Sequence, residues 1–267
     1  VHTHVLETKM QQVTGKEFYQ SSLIEHMNHI GVLSDRTTIV HSVWLTDYDI
    51  ELVAKAGATI VHNPARNLKL GSGIMPYAKI REAGIPVALG SDGMSSNDNQ
   101  SIFEAMKLCG LLHKVTTPDY SKWPEALDVF KAATCGGARS TRRNDHVGVI
   151  AENMRADMVF LDMNTTAFTP RNDLIKHLVY CENGSSIVRV MINGRTVVKD
   201  KKILTVDEKG LMKELNGMMG EFRKEYVKAK EWADKLFPYV NEIYWKSYRQ
   251  TTGLNRLSGN EIRWIDI

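Results

Sequence analysis

The chain has 267 residues, 43% of them apolar, enough to bury the core of one large domain with or without a small companion. Its 34 basic and 31 acidic side chains leave a net charge of +3, which argues against nucleic acid or an anionic membrane surface as a partner. No apolar run approaches a membrane span and no signal-peptide pattern is present; Cys109, Cys135 and Cys181 lack CxxC spacing and read as reduced, mostly buried thiols of a cytoplasmic protein.

The chain opens on Val1, inside what reads as a strand leading to His4, and is expected to be a fragment, the product of an incomplete gene, or a processed chain. Residues 16–30 carry apolar positions at helical spacing and stop at Gly31. A strand is expected at 37–41, a helix at 46–56 between Thr46 and Gly57, and a strand at 58–62. A short helix at 73–83 ends at Gly84, a strand follows at 86–90, and 99–114 form a strong amphipathic helix. This alternation at short intervals predicts parallel βα units. Two further helices are expected within 123–140. From about residue 147 the period changes to short strands at 147–150, 156–162, 186–192 and 195–198, with Asn193-Gly194 as a hairpin turn. A charged amphipathic helix is expected over 207–236, and an aromatic, irregular tail over 237–267.

Three polar residues follow short β-branched or apolar runs: His41 after Thr37–Val40, His62 after Thr59–Val61, and Asp92 after Val87–Leu89. His4, with Glu7 three positions on, stands at the end of the opening strand. Polar side chains at the C-terminal ends of successive parallel strands are where α/β barrels build active sites. Imidazole and carboxylate converging there suit a divalent metal of the zinc type and a water to activate. Singly, each residue has an ordinary explanation: a hydrogen-bonded structural histidine, a turn-capping Asp92 before Gly93, a solvated Glu7. The joint pattern favours the chemical reading. His26, His29, His113, His146 and His177 read as structural or solvated, the methionines as core filling or helix faces, and Arg139, Arg142 and Arg143 as a solvated turn.

The stretch HNPARNLKLGSG followed by ALGSDGMSSND resembles the HNPxSNLKLxSG and GTDGxxSNN segments of the amidohydrolase superfamily, in its cytosine/guanine/S-adenosylhomocysteine deaminase and triazine hydrolase branch. The resemblance covers roughly residues 1–205, and VGVIAENMRADMVFLD resembles the passage from barrel to small β-sandwich. It implies an α/β fold: the C-terminal part of a metal-dependent (β/α)8 barrel, then part of a β-sandwich and a C-terminal helix. The corresponding segments are 1–146, 147–205 and 206–267. His4 resembles the metal-ligand His of an HxxE motif and Glu7 its acid/base residue. His41 resembles the next strand's His, which holds water or substrate and in some members binds metal. Asp92 resembles the ligand that takes a proton from the water, and His62 and Asn67 resemble residues lining the substrate pocket. Ser91 for Thr and Arg66 for Ser are departures. His2-Thr3-His4 spells the family's early HxH pair, but His41 follows His4 by only 37 positions, which fits consecutive late strands. Strands one to four and the HxH ligands are therefore expected to be absent.

The implied activity is metal-dependent hydrolysis of a C–N bond in a purine- or pyrimidine-type heterocycle, with dechlorination of a triazine ring as a variant. Zinc is the expected metal and iron the alternative. The partners expected are this small substrate and a second copy of the chain, because a half-barrel leaves open sheet edges. The competing reading is an incomplete, metal-free portion, inactive unless paired with its N-terminal half.

Overall fold

The computed structural model describes residues 1–257. Two four-stranded sheets organise the chain. The first is built from β1 (His2–Val5), β2 (Thr38–His41), β3 (Thr59–His62) and β4 (Val87–Leu89), all parallel and side by side in chain order. The identical Thr-Ile-Val-His sequences of β2 and β3 are buried at every position, as strands covered on both faces must be. Ile39 and Ile60 are wholly buried and pair across the sheet.

Helices fill the crossovers: α1 (Lys9–Tyr19) and α2 (Leu23–His29) after β1, α3 (Asp47–Ala56) after β2, α4 (Pro64–Lys69) and α5 (Tyr77–Glu82) after β3. After β4 come α6 (Met94–Asn97), α7 (Ile102–Leu112) and α8 (Ala126–Lys131), which runs through a π-turn at 132–136 into α9 (Gly137–Ser140). Gly136 packs on the β4 backbone; a Cβ there would collide with the carbonyl of Val87. The helix expected over 16–30 is instead two. Gln20 turns left-handed (φ 55°), and Ser22 then opens α2 with a capping box to Glu25. Thr46 and Asp49 form the same box on α3, and the buried Asp49 also accepts from the Ser22 hydroxyl, joining the two helices.

The second sheet is an antiparallel meander of β5 (Met158–Leu161), β6 (Ile187–Ile192), β7 (Arg195–Lys199) and β8 (Lys202–Ile203). Asn193 and Gly194, both at positive φ, make the β6–β7 turn. Residues 147–150 are not a strand: they pass the 132–140 segment without ladder partners. Between β5 and β6 lies α10 (Leu174–Lys176), with a π-turn at 177–181 that sequence periodicity does not show. The last helix, α11 (Glu208–Arg249), is 42 residues long and continues through Pro238, where an irregular tail was expected. Residues 250–257 are irregular, and the part of that expected tail after Leu257, including IRWIDI, lies outside the described residues. Cys109 is buried, but Cys135 and Cys181 are exposed, against the expectation of mostly buried thiols; all three are free. The turn bearing Arg139, Arg142 and Arg143 is exposed. Among the described residues no helix is long and apolar enough to cross a membrane.

Candidate active site

Parallel pairing in register aligns the ends of the strands, so side chains at those ends share one rim. Val5 lies opposite His41, and His62 opposite Leu89. The backbone bends sharply as it leaves the sheet. Leu6, His41, Ser42 and Asp92 all lie at positive φ (54°, 77°, 54° and 59°), which is strained for residues other than glycine. These turns bring four of the expected residues together. His41 Nε2 lies 3.2 Å from His4 Nδ1, 3.4 Å from Asp92 Oδ2 and 3.7 Å from Glu7 Oε2. One donor atom from each of His4, Glu7 and His41 falls within 4.8 Å of the others. His41 and Glu7 are buried, whereas His4 is exposed, so the cluster has a closed floor and an open side.

Asn67 is the partner of His41 on its other face: the amide nitrogen lies 3.2 Å from Nδ1. In that orientation the amide donates and the ring proton sits on Nε2, facing His4 and Asp92. With the amide oxygen turned inward, Nδ1–H donates to it and the Nε2 lone pair is free for a metal, the arrangement by which outer partners orient ligating imidazoles. The Asn67 Oδ1 has no partner in the orientation seen. Burial is the largest influence on His41. It outweighs the attraction of Glu7 and Asp92 and lowers the imidazole pKa to about 4, so the ring is neutral near pH 7, as ligation requires.

Arg66, on α4, joins the cluster although the sequence marked it only as a departure. Its Nε donates to Glu7 Oε1 at 2.9 Å and lies 3.3 Å from Asp92 Oδ2. Its Nη1 reaches Asp92 Oδ1 at 3.5 Å and also donates to the Ser96 hydroxyl. Pro64 at the first turn and the buried Asn63 before it start α4 close to the strand end, which aims Arg66 back over the rim. Asn63 donates from Nδ2 to Asp92 Oδ2 at 3.4 Å, and Gly90 is needed beside it because a Cβ there would collide with the Asn63 amide. Trp44 donates from Nε1 to the Ser72 carbonyl at 2.8 Å, and the Ser72 hydroxyl lies 3.4 Å from Glu7 Oε1. Nothing in the sequence pointed to this role for Arg66, nor to Ser96 or Ser72.

His62 does not join this cluster. It is buried, and its Nε2 meets Nε2 of His113 at 3.0 Å, with Cys109 close by. Burial lowers both imidazoles, His113 to about 3, and raises the Cys109 thiol to about 12. The donor set His62–Cys109–His113 could in composition hold a soft metal, but neither Nδ1 has the outer partner that ligating imidazoles use. It is a neutral, shared-proton pair in the core. The four-residue spacing of Cys109 and His113 was the available signal for it. A concavity of about 280 Å³ opens at the N-terminal start of β4, between Tyr77, Arg81 and Arg139, and touches none of the clustered residues. The His4 cluster, with converging charged groups, is the chemically richer place.

Residues 1–197 match the amidohydrolase family. The chain belongs to that family. It is 43% identical over 195 residues to a 5-methylthioadenosine/S-adenosylhomocysteine deaminase of Thermococcus sibiricus, covering 73% of this chain and 45% of the relative. Identity is 37% over 214 residues to a 5'-deoxyadenosine deaminase of Methanosarcina barkeri, covering 80% of this chain and 49% of that one. Among solved structures, an adenosine deaminase from Xanthomonas campestris with bound zinc superposes with a TM-score of 0.81 at 28% identity, over 84% of this chain and 51% of the other. A zinc complex of atrazine chlorohydrolase from Arthrobacter aurescens superposes at 0.77 with 26% identity, over 81% and 48%. This chain thus spans about half the length of the relatives it matches. Structures of this family are metal-dependent (β/α)8 barrels, and the chain covers part of one.

Proposed function

We propose that this chain carries the late strands of the barrel, over 1–146, of an aminohydrolase that breaks an exocyclic C–N bond of an adenosine-type heterocycle. On this reading residues 147–205 belong to its β-sandwich and 206–267 form a C-terminal helix and tail. The convergence of His4, Glu7 and His41 donor atoms, with Asp92 against His41, carries the reading. Imidazole nitrogens and carboxylate oxygens at this spacing fit zinc, and iron suits them too. His4, His41 and Asp92 would hold it. A bound zinc ion supplies a water of pKa about 7 and polarises the group under attack.

Each residue then has a task set by its place. Asp92, at the rim, takes the proton of the attacking water as the oxygen adds to the amino-bearing ring carbon. Glu7, on the closed floor, delivers a proton to the neighbouring ring nitrogen. His41, oriented by Asn67, stabilises charge developing on the oxygen. The proton gathered by Asp92 passes to the amino group; the C–N bond breaks, ammonia leaves, and the remaining hydroxyl proton returns to Glu7 as the ring carbonyl forms. Asn67 borders the space for the ring, and His62, expected to do the same, acts from the core through its buried pair with His113.

The test is metal content and turnover together. Purified chain should hold about one zinc or iron per molecule, lost in His4→Ala and Asp92→Ala. It should release ammonia from an adenosine-type nucleoside in a panel that also contains a chlorotriazine. Absence of metal and of turnover would sink the reading for the isolated chain. A second reading is favoured by the coverage of half its relatives: the chain acts only when a segment bearing the remaining strands is added. Among the described residues β1 and β4 each pair on one side only, which also supports association with a second copy. The free thiols suit a cytoplasmic setting.

A further inference from the structure

Arg66 is the cation set against the carboxylates of the cluster. Its guanidinium contacts both carboxylates of the cluster, Glu7 at 2.9 Å and Asp92 at 3.3 Å, and the Ser96 hydroxyl fixes its far end. The side chain is four-fifths buried, so these ion pairs are poorly screened. Planar, always charged and pre-shaped for carboxylates, guanidinium is a strong competitor for oxygen ligands. Two carboxylates converge on it, an oxygen set that also suits a divalent ion.

We propose that Arg66 is a built-in counter-ion that, anchored on Glu7, competes with the divalent metal for Asp92. Metal entry therefore requires the guanidinium to swing off Asp92, and metal affinity is set by that displacement. This rests on the reading of the cluster as a metal site. The exchange is reciprocal: whatever weakens the Arg66 contacts strengthens the metal, and bound metal releases Arg66.

Zinc titration by calorimetry of the full chain and of Arg66→Ser tests it. The dissociation constant should fall about tenfold or more in Arg66→Ser, with Arg66→Lys between, since Lys keeps the charge but loses the fork. Equal or weaker binding by Arg66→Ser overturns the role of Arg66 and leaves the metal site standing. No zinc binding by either chain overturns both. A second measurement needs no variant: phenylglyoxal labelling of the unaltered chain, read by peptide mass. Arg66 should label faster with zinc than without, and unchanged or slower labelling overturns the proposal even if Arg66→Ser fails to fold.

Discussion

At the scale of single residues the site is held by bends as much as by contacts. Ser42 stands at φ 54° beside His41, wholly buried, and its hydroxyl has no partner. Ser42→Gly removes both the left-handed strain and the unsatisfied oxygen. It should raise stability by about 1 kcal/mol, measured as a higher thermal midpoint. Metal affinity should drop at the same time, because a glycine hinge next to His41 no longer fixes the ring. His113 supports a pH prediction. Its pKa is near 3 in the fold and about 6.5 in the unfolded chain, so the unfolded state takes up more protons as pH falls below 6.5. Stability is therefore complete above that value and is lost progressively toward pH 3; at pH 5 this one group contributes a loss of about 2 kcal/mol. Urea midpoints at pH 7.5 and 5 should differ less in His113→Gln than in the parent, and equal differences would refute the assignment. His41 and Asp92 were legible because each follows a visible apolar run, and His4 with Glu7 through their HxxE spacing. Arg66 was not, because a cation on a short helix gives no hint of which carboxylates the chain will carry to it.

Among the elements, β2 and β3 stood out because burial on both faces enforces continuous β-branched runs. Short helices of four to six residues, such as α4 and α6, were less visible; one turn is too brief for periodicity. Residues 237–249 read as part of an aromatic, irregular tail, yet α11 continues through Pro238. A proline removes one backbone bond and crowds one carbonyl, and here the far end is tied down regardless. Ser247 is buried, Lys9 donates to the Tyr248 carbonyl at 2.9 Å, and Gln250 donates to Glu17 at 2.9 Å, all against α1. Pro238→Ala should therefore stiffen a helix that already exists: slower amide exchange over residues 234–242, with little change in the ellipticity at 222 nm. A large gain in helix content would show that 239–249 is not helical in the parent.

Over the whole molecule, apolar side chains of α11 remain in solvent, Phe222, Trp232 and Phe237 among them, while β1 and β4 keep one unpaired edge each among the described residues. Exposed aromatic surface on this scale favours association. Light scattering during gel filtration should show a dimer or larger species, and Trp232→Glu with Phe237→Glu should shift it toward monomer; a parent chain that runs as a clean monomer would count against the open-edge reading. The order of the first sheet has a last consequence, for synthesis. Among the described residues β2, β3 and β4 each pair with the strand made just before them, so pairing within this stretch of sheet can follow synthesis. A chain leaving the ribosome can set His4 against His41 while Arg66 and Asp92 have yet to emerge, and the arginine arrives ahead of the second carboxylate it will bridge.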